Sequence, residues 1–501
     1  MGSGTIKSVV VVGGGTAGWL TAGLLAARLD AAGARRFKVS VIEPQGIPPI
    51  GVGEGTWPSM RLTLSRIGVS ERDFLKQTGA SFKQGTKFKN WRTGQGDYYY
   101  HPFDAPVVDE KMSPVEAWKA SGSKLSFARY VGIQEDMCEA HRSPKMLTSR
   151  DYAGVTNYGY HFEADCMAKF LKEHCQTNLQ VNLIADHMTG LQTTEDGSVK
   201  AINTQDNGEV KGDFFVDCTG FHGLLIKKHF KASTIPLREV FSCDRALVAR
   251  VPYHETAKIA STTVSTAQEA GWIWDVSLAK RFGVGYVHSS THTNPEQAQN
   301  VLSKYLSEKG YNPDKISFRE LKFTAGYVDK CWHKNCVAIG LSSGFIEPLE
   351  ASSIMLTETA ARELAEDLSV VDIDLQGLAE SFNERFLSRW KQVVHFLKFH
   401  YVMSARDEPF WANHRDQKTI PKALGEDLLR WRKDRAVHSF NNKEFSKQTL
   451  FPLDSYKFVL HASGADKERA GVNLAAEQGS EKAERHLNLL PTNREWLRHL
   501  N

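Results

Sequence analysis

The sequence predicts an α/β fold built on a parallel, nucleotide-binding sheet of the Rossmann type. Three observations predict it. Ser8–Val12 is a nearly continuous apolar run, the pattern of a strand buried on both faces. It runs directly into Gly13-Gly14-Gly15-Thr16-Ala17-Gly18, a G-x-G-x-x-G, and then into a run of small residues of helical character. Two further apolar stretches that end in glycine, Phe214–Gly220 and Cys336–Gly340, recur far along the chain, so distant segments assemble the sheet.

The first element carries chemistry. In such a loop Gly13 permits the tight turn, Gly15 lets a pyrophosphate approach the backbone, and Gly18 lets helix pack on strand. The helix that opens at Thr16 and Ala17 offers free N–H groups to an anion. A second strand, Phe37–Ile42, ends in Glu43, an acid placed to hydrogen-bond a ribose hydroxyl. A tight βα turn without ligand is the plainer alternative.

After Glu43, Ile47–Thr56 is too rich in proline and glycine for regular structure. It predicts a loop, including Gly51 and Gly53, pressed beside the cofactor. Ser59–Gly68 and Glu71–Gly79 predict short helices, and Ser81–Trp91 alternates as a strand. An aromatic cluster at Asp97–Phe103 follows, then a helical stretch over Ser113–Gly132 and another over Phe162–Cys175. Leu179–Ile184, Met188–Thr193 and Lys200–Thr204 read as strands, and the β-rich stretch from Val240 to Phe323 predicts an inserted sheet. Beyond Cys336–Leu341 lie Ser342–Glu350, a helix from Ser353 to Leu368, and helical, aromatic-rich sequence over Leu375–Ser404.

Composition narrows the class. A chain of 501 residues with 41% hydrophobic residues buries a sizeable core. Its net charge of +4 argues against nucleic acid as a main partner. The apolar run Val9–Ala27 is interrupted by glycines and reads as strand plus helix, so no membrane span is expected. Met1–Thr5 has neither a basic start nor a cleavage site, so no secretory signal is expected. The seven cysteines form no C-x-x-C pair; they read as reduced thiols of a cytoplasmic protein, and no metal site is expected.

Several stretches together resemble the flavin-dependent tryptophan/indole halogenases. They are Gly13–Trp19, Gly51–Glu54, Phe82-Lys83 with Lys87–Trp91, Gly271-Trp272-Ile273-Trp274, Gly283–Tyr286, Gly340–Ser343, Glu347-Pro348-Leu349-Glu350, Pro409–Trp411 and Leu490–Asn493. The resemblance covers nearly the whole chain. It implies a p-hydroxybenzoate-hydroxylase-like fold: residues 1–374 form an FAD-binding domain with inserted, substrate-lining β segments, and residues 375–501 a mostly helical part over the substrate pocket. It implies FAD, delivered as FADH2 by a separate flavin reductase, and a bound halide that oxygen chemistry converts to hypohalous acid. Gly340 and Leu341 join the flavin-binding residues. Lys83 takes the role of the lysine that carries the halogen, as a haloamine or by hydrogen bonding, and Glu350 that of its carboxylate partner. His101 and Phe103 would line the arene, Trp272 and Trp274 the passage from the flavin. By their residues alone, Lys83 would be a solvated strand lysine like Lys87 and Lys89, and Glu350 or Glu347 a helix-start acid.

The chain also departs from the family. Asp275-Val276-Ser277 follows the Trp-x-Trp where x-Ile-Pro is usual, and Ala351-Ser352-Ser353 stands where the tryptophan enzymes commonly have Ser-Thr-Gly. Ser352 and Ser353 would then bind the halide, and bromide is expected to serve at least as well as chloride. The segment Ser439–Phe451 looks shortened and lacks the Tyr pair that anchors tryptophan's charges, with Phe451 near the expected Trp. Indole or a simple derivative is therefore the expected substrate, bromination or chlorination the reaction. The rival readings are a tryptophan halogenase proper, a flavin monooxygenase and a non-enzymatic flavin sensor. Monooxygenases usually carry Gly-Asp where this chain has Gly340-Leu341.

Overall fold

The computed structural model describes residues 6–29, 33–46, 53–107, 112–370, 374–434, 440, 449–462 and 484–500. Ser8–Val12 lies at the centre of a six-stranded sheet. It pairs in parallel with Lys38–Ile42 on one side and Phe214–Asp217 on the other. Cys336–Ala338 and Asn182–Ile184 extend the parallel sheet outward, and Trp332–His333 closes one edge antiparallel. Every residue of Val9–Val12 is buried, as an apolar strand covered on both faces requires. The helix Thr16–Ala26 is likewise buried along nearly its whole length, between the helices Ala164–Leu179 and Ser352–Asp367.

The expected inserted sheet has seven strands. Arg245–Pro252, Thr263–Gln268, Gly271–Ser277, Arg281–His288 and Arg319–Lys322 form most of it. Gly85–Lys89 and Tyr98–Pro102 complete it at one edge.

The single strand expected over Ser81–Trp91 breaks in two. Ser81–Lys83 pairs with Gly159–Phe162 in a separate small sheet, while Gly85–Lys89 joins the large one. Gly85 makes the joint, with a positive φ of 145° and a backbone so close to His101 that a Cβ would stand 2.5 Å from its carbonyl oxygen. No L side chain fits there.

Other expectations shift at their ends. The helical stretch Ser113–Gly132 is two short helices, Pro114–Ala120 and Phe127–Val131, each opened by a capping serine. Phe162 ends a strand, and the following helix starts at Ala164 and runs to Leu179. Gln180 caps that helix in the left-handed conformation, which delays the next strand to Asn182. The C-terminal part is helical, led by the 28-residue helix Leu375–Val402. No described helix is long and apolar enough to cross a membrane. The cysteines among the described residues are all free thiols.

Candidate active site

The nucleotide cradle forms as its residues require. A Cβ on Gly13 would meet the Cys218 carbonyl oxygen at 2.2 Å, and one on Gly18 the Gly13 carbonyl oxygen at 1.9 Å. Gly15 differs: nothing lies within 4 Å of its would-be Cβ, and it caps the helix that opens at Thr16 and Ala17 without a side-chain hydrogen bond. That open space at a helix N-terminus suits a pyrophosphate. Gly340, with φ of 79°, lies against Ala17 and carries Leu341 to the same place. These residues fit FAD. Glu43, the ribose candidate, is half-buried and paired with Lys172 at 2.6 Å. Gly53 packs beside Val276, and Gly51 lies outside the described residues.

Lys83 ends its strand at the joint between the two sheets. It is 1% exposed, whereas Lys87 pairs with Glu139 and Lys89 is exposed. A side chain on Gly55 would stand 3.2 Å from Lys83 Nζ and 3.4 Å from the Ala351 Cβ, so this glycine brings the two segments together. Nζ sits 5.3 Å from the Phe103 ring centroid, a cation–π distance. Among the described residues it forms no ion pair or hydrogen bond. Burial pulls the ammonium down to about 8, against the opposing charge of Glu350.

Glu350 is 2% exposed. His101 Nδ1 lies 2.9 Å from its Oε1, and His400 Nε2 lies 3.2 Å from the same oxygen. Burial alone would push the carboxyl up, but His101 first and His400 second hold it well below the usual carboxylate range. Its backbone carbonyl accepts the Trp57 indole N–H at 2.7 Å.

Aromatic rings surround this pair. Trp57 meets Phe451 edge-on at 4.9 Å, and Phe451 stacks on Phe396 at 4.1 Å. Phe451 is thus buried between Trp57 and Phe396. His101 uses both ring nitrogens, one on Glu350 and the other on the Ser455 hydroxyl at 2.9 Å. Trp57, His400, Phe396 and Ser455 were not legible as site residues. Only Trp57 left a signal, following Gly51-Val-Gly-Glu-Gly-Thr in the expected cofactor loop.

Trp272 and Trp274 share one face of Gly271–Ser277, with centroids 6.4 Å apart. Trp272 packs on Trp91, and the Trp274 ring crosses Gly285 on the next strand, where a Cβ would lie 2.2 Å from it. Glu347 is not a helix-start acid. It is buried, accepts the Tyr401 hydroxyl, and burial pushes it up to about 7.

Ser352 and Ser353 open the helix Ser352–Asp367, after Ala351 in the left-handed conformation. The helix has no acid in its first turn and no side-chain cap, and among the described residues neither serine hydroxyl has a hydrogen-bond partner. A small anion fits these donors.

A family model described as tryptophan halogenase matches residues 8–477. The tryptophan 6-halogenase ThaL of Streptomyces albogriseolus is 33% identical over 433 residues, 82% of this chain and 80% of that protein. Among solved structures, a tryptophan halogenase from Shewanella frigidimarina is 38% identical with a TM-score of 0.91, covering 100% of this chain and 98% of its own. BrvH, a flavin-dependent halogenase from Brevundimonas sp. BAL3, is 26% identical with a TM-score of 0.83 over 99% of each chain. On this match and this fold, the chain belongs to the tryptophan halogenase family of flavin-dependent enzymes.

Proposed function

We propose that this enzyme halogenates the ring of indole or a simply substituted indole, drawing FADH2 from a separate flavin reductase and using bromide at least as well as chloride. The observation that carries the reading is a buried, unpaired ammonium at Lys83 facing the Glu350 carboxylate without an ion pair between them. Two buried opposite charges that feel each other without pairing suit a small polar reagent held between them beside a flat ring.

Bound reduced FAD supplies, with oxygen, the oxidising power that turns halide into hypohalous acid. The chain does the rest. Ser352 and Ser353 hold the halide at the helix start. Lys83 orients the hypohalous acid by donating a hydrogen bond. At pH 7 a group with a pKa near 8 is mostly ammonium. Trp57, Phe103 and Phe451 enclose the ring, and Glu350 takes the ring proton. This assignment sets the pH profile. Above about pH 8 Lys83 loses its proton, so kcat falls through that range. A kcat that rises there instead identifies the neutral amine, and a haloamine, as the working form.

The substrate reading rests on desolvation. Tryptophan's zwitterion loses water on entry, which costs several kcal/mol unless each charge meets a partner. The described walls are aromatic: Trp57, Phe103, Phe396 and Phe451. Most of Ser439–Phe451 lies outside the described residues. The halide reading rests on Ser352-Ser353: bromide is less tightly hydrated and more easily oxidised, so an altered site penalises it less.

One experiment tests both. Reduced FAD, oxygen, and equal bromide and chloride are supplied with indole or L-tryptophan, and products are read by mass spectrometry. Haloindole with bromide at or above chloride, and kcat/KM favouring indole, is expected. A preference for tryptophan of tenfold, about 1.4 kcal/mol, overturns the substrate reading. Mainly chlorinated product overturns the halide reading. Hydroxylated indole favours a monooxygenase.

A further inference from the structure

We infer that two hydroxyl–imidazole arms, Ser455–His101 and Tyr99–His400, converge on Glu350 Oε1, the first by a hydrogen bond and the second by a close contact, leaving Oε2 as the oxygen that receives the proton leaving the halogenated ring. Ser455 and Tyr99 are then positioning residues that act on the reaction through imidazoles they hold. The inference rests on the proposed ring halogenation and deepens it.

The arms are built alike from unlike elements. His101 Nδ1 lies 2.9 Å from Oε1 and its Nε2 2.9 Å from the Ser455 hydroxyl. His400 Nε2 lies 3.2 Å from the same oxygen, and its Nδ1 2.8 Å from the Tyr99 hydroxyl. Glu350, as a carboxylate, only accepts. The nitrogen facing it must therefore carry the proton, and in a neutral imidazole the other nitrogen must accept. The hydroxyls of Ser455 and Tyr99 are the donors that fix this tautomer. Burial lowers His400 below its ordinary value, which keeps it neutral, and raises Tyr99 well above its own, which keeps the phenol protonated. The His400 contact is the looser one: its N–H points off the line to Oε1 and is not an aligned hydrogen bond. Such bonds often tighten only in the substrate complex. His400 is itself held flat, stacked on Phe88 at 4.5 Å.

No hydrogen bond fixes Oε2 among the described residues. In the step itself, the ring's π pair forms the C–X bond as the X–O bond of the hypohalous acid breaks. Its electrons leave as hydroxide, which takes a proton from the Lys83 ammonium to become water. The ring C–H bond then breaks, its pair restores aromaticity, and its proton goes to Oε2. A misplaced carboxylate slows the last stage alone.

The test uses the whole enzyme with Ser455→Ala, Tyr99→Phe and the rescue variant Ser455→Thr. Neither hydroxyl touches Glu350, and each change removes little volume. Turnover is measured on indole and ring-deuterated indole, with hypohalous acid scored separately by a diketone trap. The unaltered enzyme should show an isotope effect near one, because loss of a proton from the addition intermediate is fast. Ser455→Ala and Tyr99→Phe should each lower kcat by roughly 5–20-fold, leave KM and trapped hypohalous acid within twofold, and raise the isotope effect above about 2. Ser455→Thr should restore both. An isotope effect that stays near one in both variants, or trapped acid that falls in step with product, overturns the inference. If the unaltered enzyme forms no haloindole, the proposed reaction falls and the inference with it; if it does and the variants behave like it, the inference alone falls.

Discussion

Lys83→Ala should abolish ring halogenation, by on the order of a thousandfold or more, while FAD binding and the oxidation of reduced FAD continue. The two halves of the site are separate in the fold. The cradle is built on Ser8–Val12 and its helix, whereas Lys83 ends a strand of a different sheet. The lysines that follow it on the next strand do not replace it: Lys87 is tied to Glu139 and Lys89 is exposed. The change should not unfold the protein. A buried ammonium without an ion pair is a burden on stability rather than a support. The volume-conserving Lys83→Met should therefore raise Tm while remaining equally inactive, a trade of stability for function. Product by mass spectrometry and Tm by calorimetry decide the matter. Halogenation within tenfold of the unaltered enzyme would remove Lys83 from the mechanism.

Glu350→Gln should lower kcat by about a hundredfold to a thousandfold. The amide is nearly isosteric, and its oxygen can still accept from His101. Its nitrogen, in place of Oε2, cannot take a proton. The substitution also removes the charge that holds Lys83 up, so the alkaline fall in rate should move to lower pH. Glu350→Ala is the poorer test, because it leaves two buried imidazoles facing a void. A Glu350→Gln enzyme with kcat within threefold of the parent would assign the proton to another base.

Much of this was readable in the chain. The glycine fingerprint has local causes, turn geometry and close approach, and so appears as local sequence. Lys83 and Glu350 were readable only through the family's motifs. Alternation places Lys83, Lys87 and Lys89 on one face of one strand. The joint at Gly85 separates them, and it depends on the His101 carbonyl pressing on its backbone. Glu347 looked like the helix-start acid because burial by the remote Tyr401 leaves no mark beside it. His400 and Ser455 were out of reach for the same reason. His101 lies 249 residues from Glu350 and 354 from Ser455, and such pairings follow from packing rather than from period or spacing.

That long reach has a consequence during synthesis. The ribosome delivers the chain from its N-terminal side at roughly 5–20 residues per second. The nucleotide sheet can close once Cys336–Ala338 has emerged. His400 follows later, and Ser455 later still. A nascent chain can thus hold its flavin pocket before the residues that pack around Glu350 are assembled. If the proposed oxidant forms at that stage, which takes reduced flavin, oxygen and halide together, the growing polypeptide is its nearest target.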